Sequence, residues 1–235
     1  MIGIIGGAGV AATNKLCELI EIKLTQDGCY RDNHHPEILI YQATKAPSRS
    51  MYLEGRGESF IDDYVTVGKR LKTAGADLLC MCCNTAHYAI DEIQSQVQLP
   101  FINMIEEVIF EVRKRDVKNV GLIASDGCLK GKVYEKYFEK HFPDANLIYP
   151  NIKYQEEVTK GICNIKNTNR FLKEQHPERP KNIFTHVYDH LMSEGADCVI
   201  IGCTDIRVDF EHHQATDSLE VLVNKIIKIK KQNGE

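Results

Sequence analysis

Nowhere in the 235 residues do apolar side chains run on for the ~20 positions that a membrane-spanning helix requires. The opening MIGIIGGAG lacks the charged segment and long apolar core of a secretory signal, so the expected location is the cytoplasm. An excess of either charge is missing too: 29 Lys and Arg stand against 33 Asp and Glu, for a net charge of −4. Nucleic acids and anionic membrane surfaces demand clustered cations, so neither is an expected partner. The one dense basic run, KIIKIKKQ near the C-terminus, reads as the solvated face of a last helix. Cysteine is not scarce. There are nine, an odd number, and in a reducing compartment they imply free thiols rather than a disulfide framework.

Two of those thiols sit in a repeated segment. GADLLCMCCNTAH, from Gly75 to His87, returns as GADCVIIGCTDI, from Gly195 to Ile206. Aligned on Gly-Ala-Asp, each continues through an apolar run to a cysteine eight residues on, Cys83 in the first copy and Cys203 in the second. The chain opening recurs as well: MIGIIG, a glycine-rich turn and an amphipathic stretch are echoed by NVGLIASDG and KGKVYEKYFEKHF, with Gly121 where Gly3 stood. Gly3 precedes Gly75 by 72 residues and Gly121 precedes Gly195 by 74, so strand and thiol recur together.

Strands alternating with helices imply parallel α/β sheets. The expected fold is a pair of pseudo-symmetric parallel-sheet α/β domains related by duplication: residues 1–98 with 207–235 as the first domain, 99–206 as the second. Gly75 and Gly195 each follow a helical stretch and are expected as helix C′ residues. LPFINMIEEVIFEV reads as a strand running into a helix between the halves, and DSLE at Asp217 as the capping box of the final helix. Each GAD strand should deliver its cysteine at the carboxyl end, where parallel sheets bind ligands. The active site is therefore expected in the interdomain cleft. Two long charged loops, 44–59 and 164–181, should lie over the sheet ends; the first is the better candidate for substrate contact and the second reads as plain polar surface.

A cysteine followed at once by polar residues and a helix start is placed where backbone N–H groups favour thiolate and can hold a carboxylate. Two such thiols facing each other suit a reaction that takes a proton from one face of a carbon and returns one to the other, which is racemisation beside a carboxylate. GGAGVAAT near the start, CCNTAH at Cys82–His87 and GCTD at Gly202–Asp205 resemble the signature elements of the aspartate/glutamate racemase family, and RDNHHPEILIY, APSR and LPFINMI fall in the same order. The resemblance implies an isomerase that works without pyridoxal phosphate or metal, with Cys83 and Cys203 as catalytic bases. It implies Arg49 and Lys160 as substrate-orienting cations, and Asn84, Thr85 and Thr204 as holders of the α-carboxylate. The implied partner is a small amino acid, aspartate before glutamate, and a homodimer is compatible. The chain departs from the family pattern in its GGAGV turn, in Cys82 and in GCTD where GCTE is usual.

Other readings start from the same residues. Hydantoin racemases, decarboxylases and maleate isomerases share the architecture, and a non-catalytic amino-acid-binding or regulatory protein would need neither thiol. Cys80 and Cys83 have CxxC zinc spacing, but residues of one strand alternate in direction, which sends them apart. GAGVAA matches a dinucleotide fingerprint, yet the next strand ends in Gln42 rather than an acidic residue. The turn more naturally lets the backbone approach a small carboxylate. His87, one helical turn after Cys83, either steadies its thiolate or caps a helix start. Cys17, Cys29, Cys80, Cys128, Cys163 and Cys198 read as packing.

Overall fold

The computed structural model describes residues 1–232 and contains two four-stranded, fully parallel sheets. The first has the order β2-β1-β3-β4, from Ile2–Gly6 (β1), Ile38–Gln42 (β2), Leu78–Met81 (β3) and Phe101–Ile102 (β4). The second repeats that order as β6-β5-β7-β8, from Asn119–Ile123 (β5), Asn146–Ile148 (β6), Cys198–Ile201 (β7) and Thr216–Asp217 (β8). The helices are Val10–Gln26 (α1), Arg49–Leu53 (α2), Ile61–Thr73 (α3), Ile90–Val97 (α4), Met104–Arg113 (α5), Asp126–Lys130 (α6), Glu135–His141 (α7), Ile152–Ile165 (α8), Pro180–Ser193 (α9) and Ser218–Gln232 (α10). No helix among them is long and apolar enough to cross a membrane.

The duplication is visible in the register. Gly3 lies beside Leu79 across β1 and β3, and Gly121 beside Val199 across β5 and β7. A Cβ on Gly3 would crowd Leu79, Ala76 and Leu71; one on Gly121 would crowd Val199, Ala196 and Leu191, the same positions 120 residues on. Gly75 and Gly195 have φ of 105° and 93° just after α3 and α9, in the left-handed conformation that closes a helix. The repeated aspartates anchor the first strand of each half. Asp77 accepts the N-terminal ammonium at 2.9 Å, while Asp197 accepts the Lys118 and Asn119 N–H groups at 2.9 and 2.7 Å.

Strand alternation divides the apolar side chains between layers. Ile4, Cys80, Cys82, Leu122, Cys198 and Ile200 enter a central cluster together with residues of α1, α5 and α10. Ile5, Leu79, Met81 and Cys83 face outward to α3 and α4, and Ile123, Val199 and Ile201 face α8 and α9. Cys80 on β3 thus enters the central layer and Cys83, two residues past the strand, the outer one, so their spacing does not close on one metal ion. Burial pushes the Cys80 thiol up to about 12, as fits a packing role.

The domain limits move. β4 belongs to the first sheet, although residues 99–206 were assigned to the second domain, and β8 belongs to the second sheet, although 207–235 were assigned to the first. The strand in LPFINM is there as expected but pairs with the first sheet, and β8 has too few residues, two, to carry a readable periodicity. Helix α10 packs on both α1 and α5, between the sheets, and residues 233–235 of the expected first domain lie outside the described residues. Asp217 does cap α10: its Oδ1 accepts the N–H groups of Leu219 and Glu220 at 2.8 and 3.2 Å. The basic run is not wholly solvated, since Lys230 is buried and donates to the His34 carbonyl.

Candidate active site

Cys83 follows β3 and Cys203 follows β7, and both line one cavity of about 210 Å³ at the carboxyl ends of the two sheets. Cys83 is 8% exposed and Cys203 half-buried. The turn after β1 forms part of the wall. Gly7 takes φ of 82°, a conformation that favours glycine, and a Cβ there would also strike the Ala43 nitrogen; its N–H donates to Thr13 Oγ1 at 3.0 Å. Gly9 has a different reason: a Cβ would overlap Oδ1 of Asp205. The glycine turn does admit a carboxylate, and it is the protein's own.

Arg49 opens α2, whose first turn is capped by Ser48. Its Nη1 donates to the Pro47 carbonyl at 2.9 Å, its guanidinium lies 6.0 Å from the Tyr64 ring centroid, and it stands against Cys83 in the cavity wall. Thr85 Oγ1 meets Ser125 Oγ at 3.0 Å, joining the halves at the cavity floor. Thr204 Oγ1 donates to the Cys82 carbonyl at 3.3 Å. The side chain of Asn84 is already occupied. Its Nδ2 donates to Ser218 Oγ at 2.9 Å and its Oδ1 accepts from the Tyr134 hydroxyl at 2.7 Å, which leaves its backbone to face a ligand.

Lys160 does not join them. It is half exposed on α8 and pairs with Glu178 at 2.6 Å, outside the cavity. Thr159, Ile162, Cys163 and Lys166, spaced three, four and seven residues apart, form the stripe of α8 that does face in, and Lys160 falls off that stripe. The cation that this stripe brings to the cavity is Lys166, whose Nζ lies 2.9 Å from Asp205 Oδ2. Lys166 and Ser125 were missed by sequence reasoning. Lys166 sat in a stretch read as polar surface, and only the helical period of α8 would have exposed it. Ser125 is the second residue after β5 and, by the offset that sets Gly121 against Gly3, takes the place of Gly7, which is the signal that could have found it.

Asp205 is 3% exposed; burial raises its carboxyl above the usual range, against the pull of Lys166. Burial, then the Asp205 carboxylate, push the Cys203 thiol up to about 12, against Lys166 and the Asp205 N–H. Of the two roles open to His87, the contacts it makes are to backbone: it holds a helix start and the Cys83 carbonyl, not the sulfur. Its Nε2 accepts the Met104 N–H at 3.2 Å at the start of α5, so Nδ1 carries the proton and donates to the Cys83 carbonyl at 2.8 Å. Burial lowers its pKa to about 4, which keeps the ring neutral. Among the described residues no three His, Cys, Asp or Glu side chains gather as a metal site would require.

Comparisons with known proteins show which family and fold this is. The model of the Asp/Glu/hydantoin racemase family matches residues 5–225. The broad specificity amino-acid racemase of Bacillus subtilis (strain 168) is 25% identical over 218 residues, 92% of this chain and 89% of that protein. The fold matches the aspartate racemase of Picrophilus torridus with a TM-score of 0.83 at 24% identity, over 98% of this chain and 94% of that one. It matches an aspartate racemase homologue from Pyrococcus horikoshii OT3 with a TM-score of 0.72 at 25% identity, over 98% of both chains. With the family model spanning both sheets and the cavity between them, the chain belongs to the Asp/Glu/hydantoin racemase family and is a racemase, an enzyme of the isomerase class.

Proposed function

We propose that the protein racemises a free amino acid without a cofactor, by two-base proton transfer at Cα between Cys83 and Cys203, with aspartate the first substrate and glutamate the second. The observation that carries the reading is that the thiols of both repeats open into one cavity of amino-acid size. The hydroxyls of Thr85, Ser125 and Thr204 and the backbone at Asn84 line the same cavity and suit an α-carboxylate. With the carboxylate held there, Cα lies between the sulfurs. One sulfur, as thiolate, removes the α-proton; the planar carbanion is then protonated on its other face by the second sulfur, as thiol. Each turnover leaves the proton on the first sulfur and the negative charge on the second, so solvent exchange must reset the pair.

Arg49 and Lys166 support the acidic substrates, since charge-assisted contacts read a side-chain carboxylate well. The name of the Bacillus subtilis relative supports a wider range, and Lys166 is already held by Asp205, so neutral amino acids belong in the assay. All nine cysteines are free, as a two-thiol mechanism requires and as the reducing cytoplasm would maintain. The test is incubation of the purified protein, with no added cofactor, with each enantiomer of aspartate, glutamate and several neutral amino acids, followed by chiral chromatography. Interconversion fastest with aspartate is expected. Tight binding of an amino acid with no interconversion of any would replace the enzyme reading with a binding protein.

A further inference from the structure

Every free amino acid carries an α-ammonium, and a wall that presents Arg49 and Lys166 to it must also present an anion. Three carboxylates line the cavity, those of Glu54, Asp126 and Asp205. Glu54 is taken by Arg56, whose Nε donates to its Oε2 at 2.7 Å. Asp205 is taken by Lys166 at 2.9 Å on one oxygen, and its other oxygen is buried against Gly9. Asp126 differs from both: its partners are two neutral groups, and no cation pairs with it among the described residues.

Those two donors come from α8. Gln155 Nε2 donates to Asp126 Oδ1 at 2.7 Å, and Thr159 Oγ1 donates to Oδ2 at 2.7 Å. Gln155 is itself fixed, because the same nitrogen donates to the Ala124 carbonyl at 3.1 Å; a flipped amide would set its oxygen against two acceptors. A carboxylate has about four acceptor positions, so the two bonds orient Asp126 and leave about half of its capacity open. By the offset that sets Gly121 against Gly3, Asp126 stands where the first half has Ala8, which lines the same cavity. The duplicated cradle is thus charged at this position on one side only.

We infer that Asp126 receives the α-ammonium of the substrate. Ser125, the residue before it, is one of the hydroxyls that suit the α-carboxylate, so neighbouring residues at the start of α6 serve neighbouring groups on one carbon. Asp126 binds and orients the ligand and moves no proton at Cα. Its role fixes the substrate class as free amino acids, whatever the side chain, while Arg49 and Lys166 sort side chains within that class. Hydantoins, which the family's name includes, have only uncharged ring nitrogens and would leave the carboxylate without a cation.

This inference rests on the amino-acid reading of the cavity, and its test requires no turnover. Dissociation constants of racemic aspartate and of succinate, the same dicarboxylate without the amino group, are measured by calorimetry on the wild type and on Asp126→Asn. The amide keeps an acceptor for Gln155 and a donor for Thr159 and removes the charge. The wild type should bind aspartate about tenfold or more tighter than succinate, and Asp126→Asn should weaken aspartate by about ten- to a hundredfold, as expected for a hydrogen bond between charged groups. Succinate should bind the variant as well as the wild type or better, because an anion has been removed. Equal weakening of both ligands would make Asp126 a structural tie to α8 and overturn the inference. Succinate binding the wild type as tightly as aspartate would overturn it too, and that result depends on no variant folding. A wild type with the expected preferences that interconverts no enantiomers would count against the proposed function alone; one that racemises aspartate yet gives either overturning result would count against Asp126 alone.

Discussion

At the scale of single residues, the proposed mechanism depends on two sulfurs and on what fixes them. Cys83→Ser or Cys203→Ser should each slow racemisation in both directions by about 10²–10⁴-fold, the usual worth of a positioned acid or base, because each direction uses both. Near wild-type interconversion by Cys203→Ser in a chiral assay would remove the second sulfur from the mechanism. His87 makes a stability prediction whose sign can be worked out. Its folded pKa, about 4, lies below the unfolded value of about 6.5, so only the unfolded chain takes up a proton in that window. The stabilisation is fully present above pH 6.5 and is lost as pH falls toward 4. Between pH 7 and pH 5 the loss is roughly 2 kcal/mol. Urea unfolding of wild type and His87→Gln at both pH values should show a steeper loss in the wild type by that amount; parallel losses would mean that His87 is not held neutral.

At the scale of elements, the repeated GAD strands, the Gly75 and Gly195 helix ends, the Asp217 cap of α10 and the placement of both cysteines after their strands were all legible, because each has a short, local pattern; the Glu220 carboxylate of the expected capping box pairs with Lys23 instead. Lys160 and Lys166 were not distinguishable in that way. Both are cations on or just after α8, and only the rotation of that helix against the cavity separates them. Lys166→Met should therefore weaken kcat/KM for aspartate by about 1.5–3 kcal/mol, the worth of a charge-assisted contact, and by less for alanine. Lys160→Met should leave both unchanged within twofold. Equal effects of the two substitutions would show that α8 does not present the stripe described. Asn84 was likewise read as a ligand for the substrate, but its neighbours Tyr134 and Ser218 come from distant parts of the chain, and no local pattern records that they meet.

At the scale of the whole molecule, the sheets are two but the core between them is one. Its central cluster takes side chains from both sheets and from α1, α5 and α10, which is why domain limits drawn from the sequence repeat did not hold. The cavity walls are cross-tied as well: Thr85 to Ser125, Thr204 to the Cys82 carbonyl, Asn84 to Tyr134, the Gly127 N–H to Ser50 Oγ at 2.9 Å, and Lys130 to the Glu54 carbonyl at 2.9 Å. A swing of one half away from the other would have to break these ties and expose the shared apolar face together. Traffic in and out of the site is thereby assigned to its rim. Arg49, Lys166 and Asp205 also border a wider groove of about 670 Å³ that leads past Arg170 and the 75% exposed Phe171. Hydrogen exchange with and without a bound dicarboxylate should change at residues 44–59 and 166–172 while α1, α5 and α10 stay equally protected. Deprotection of those three helices on release would mean that the halves part. A rim that moves alone sets entry and exit by the rearrangement of a few side chains, so turnover should be only weakly slowed by viscous solvent, as large sweeping motions would not be.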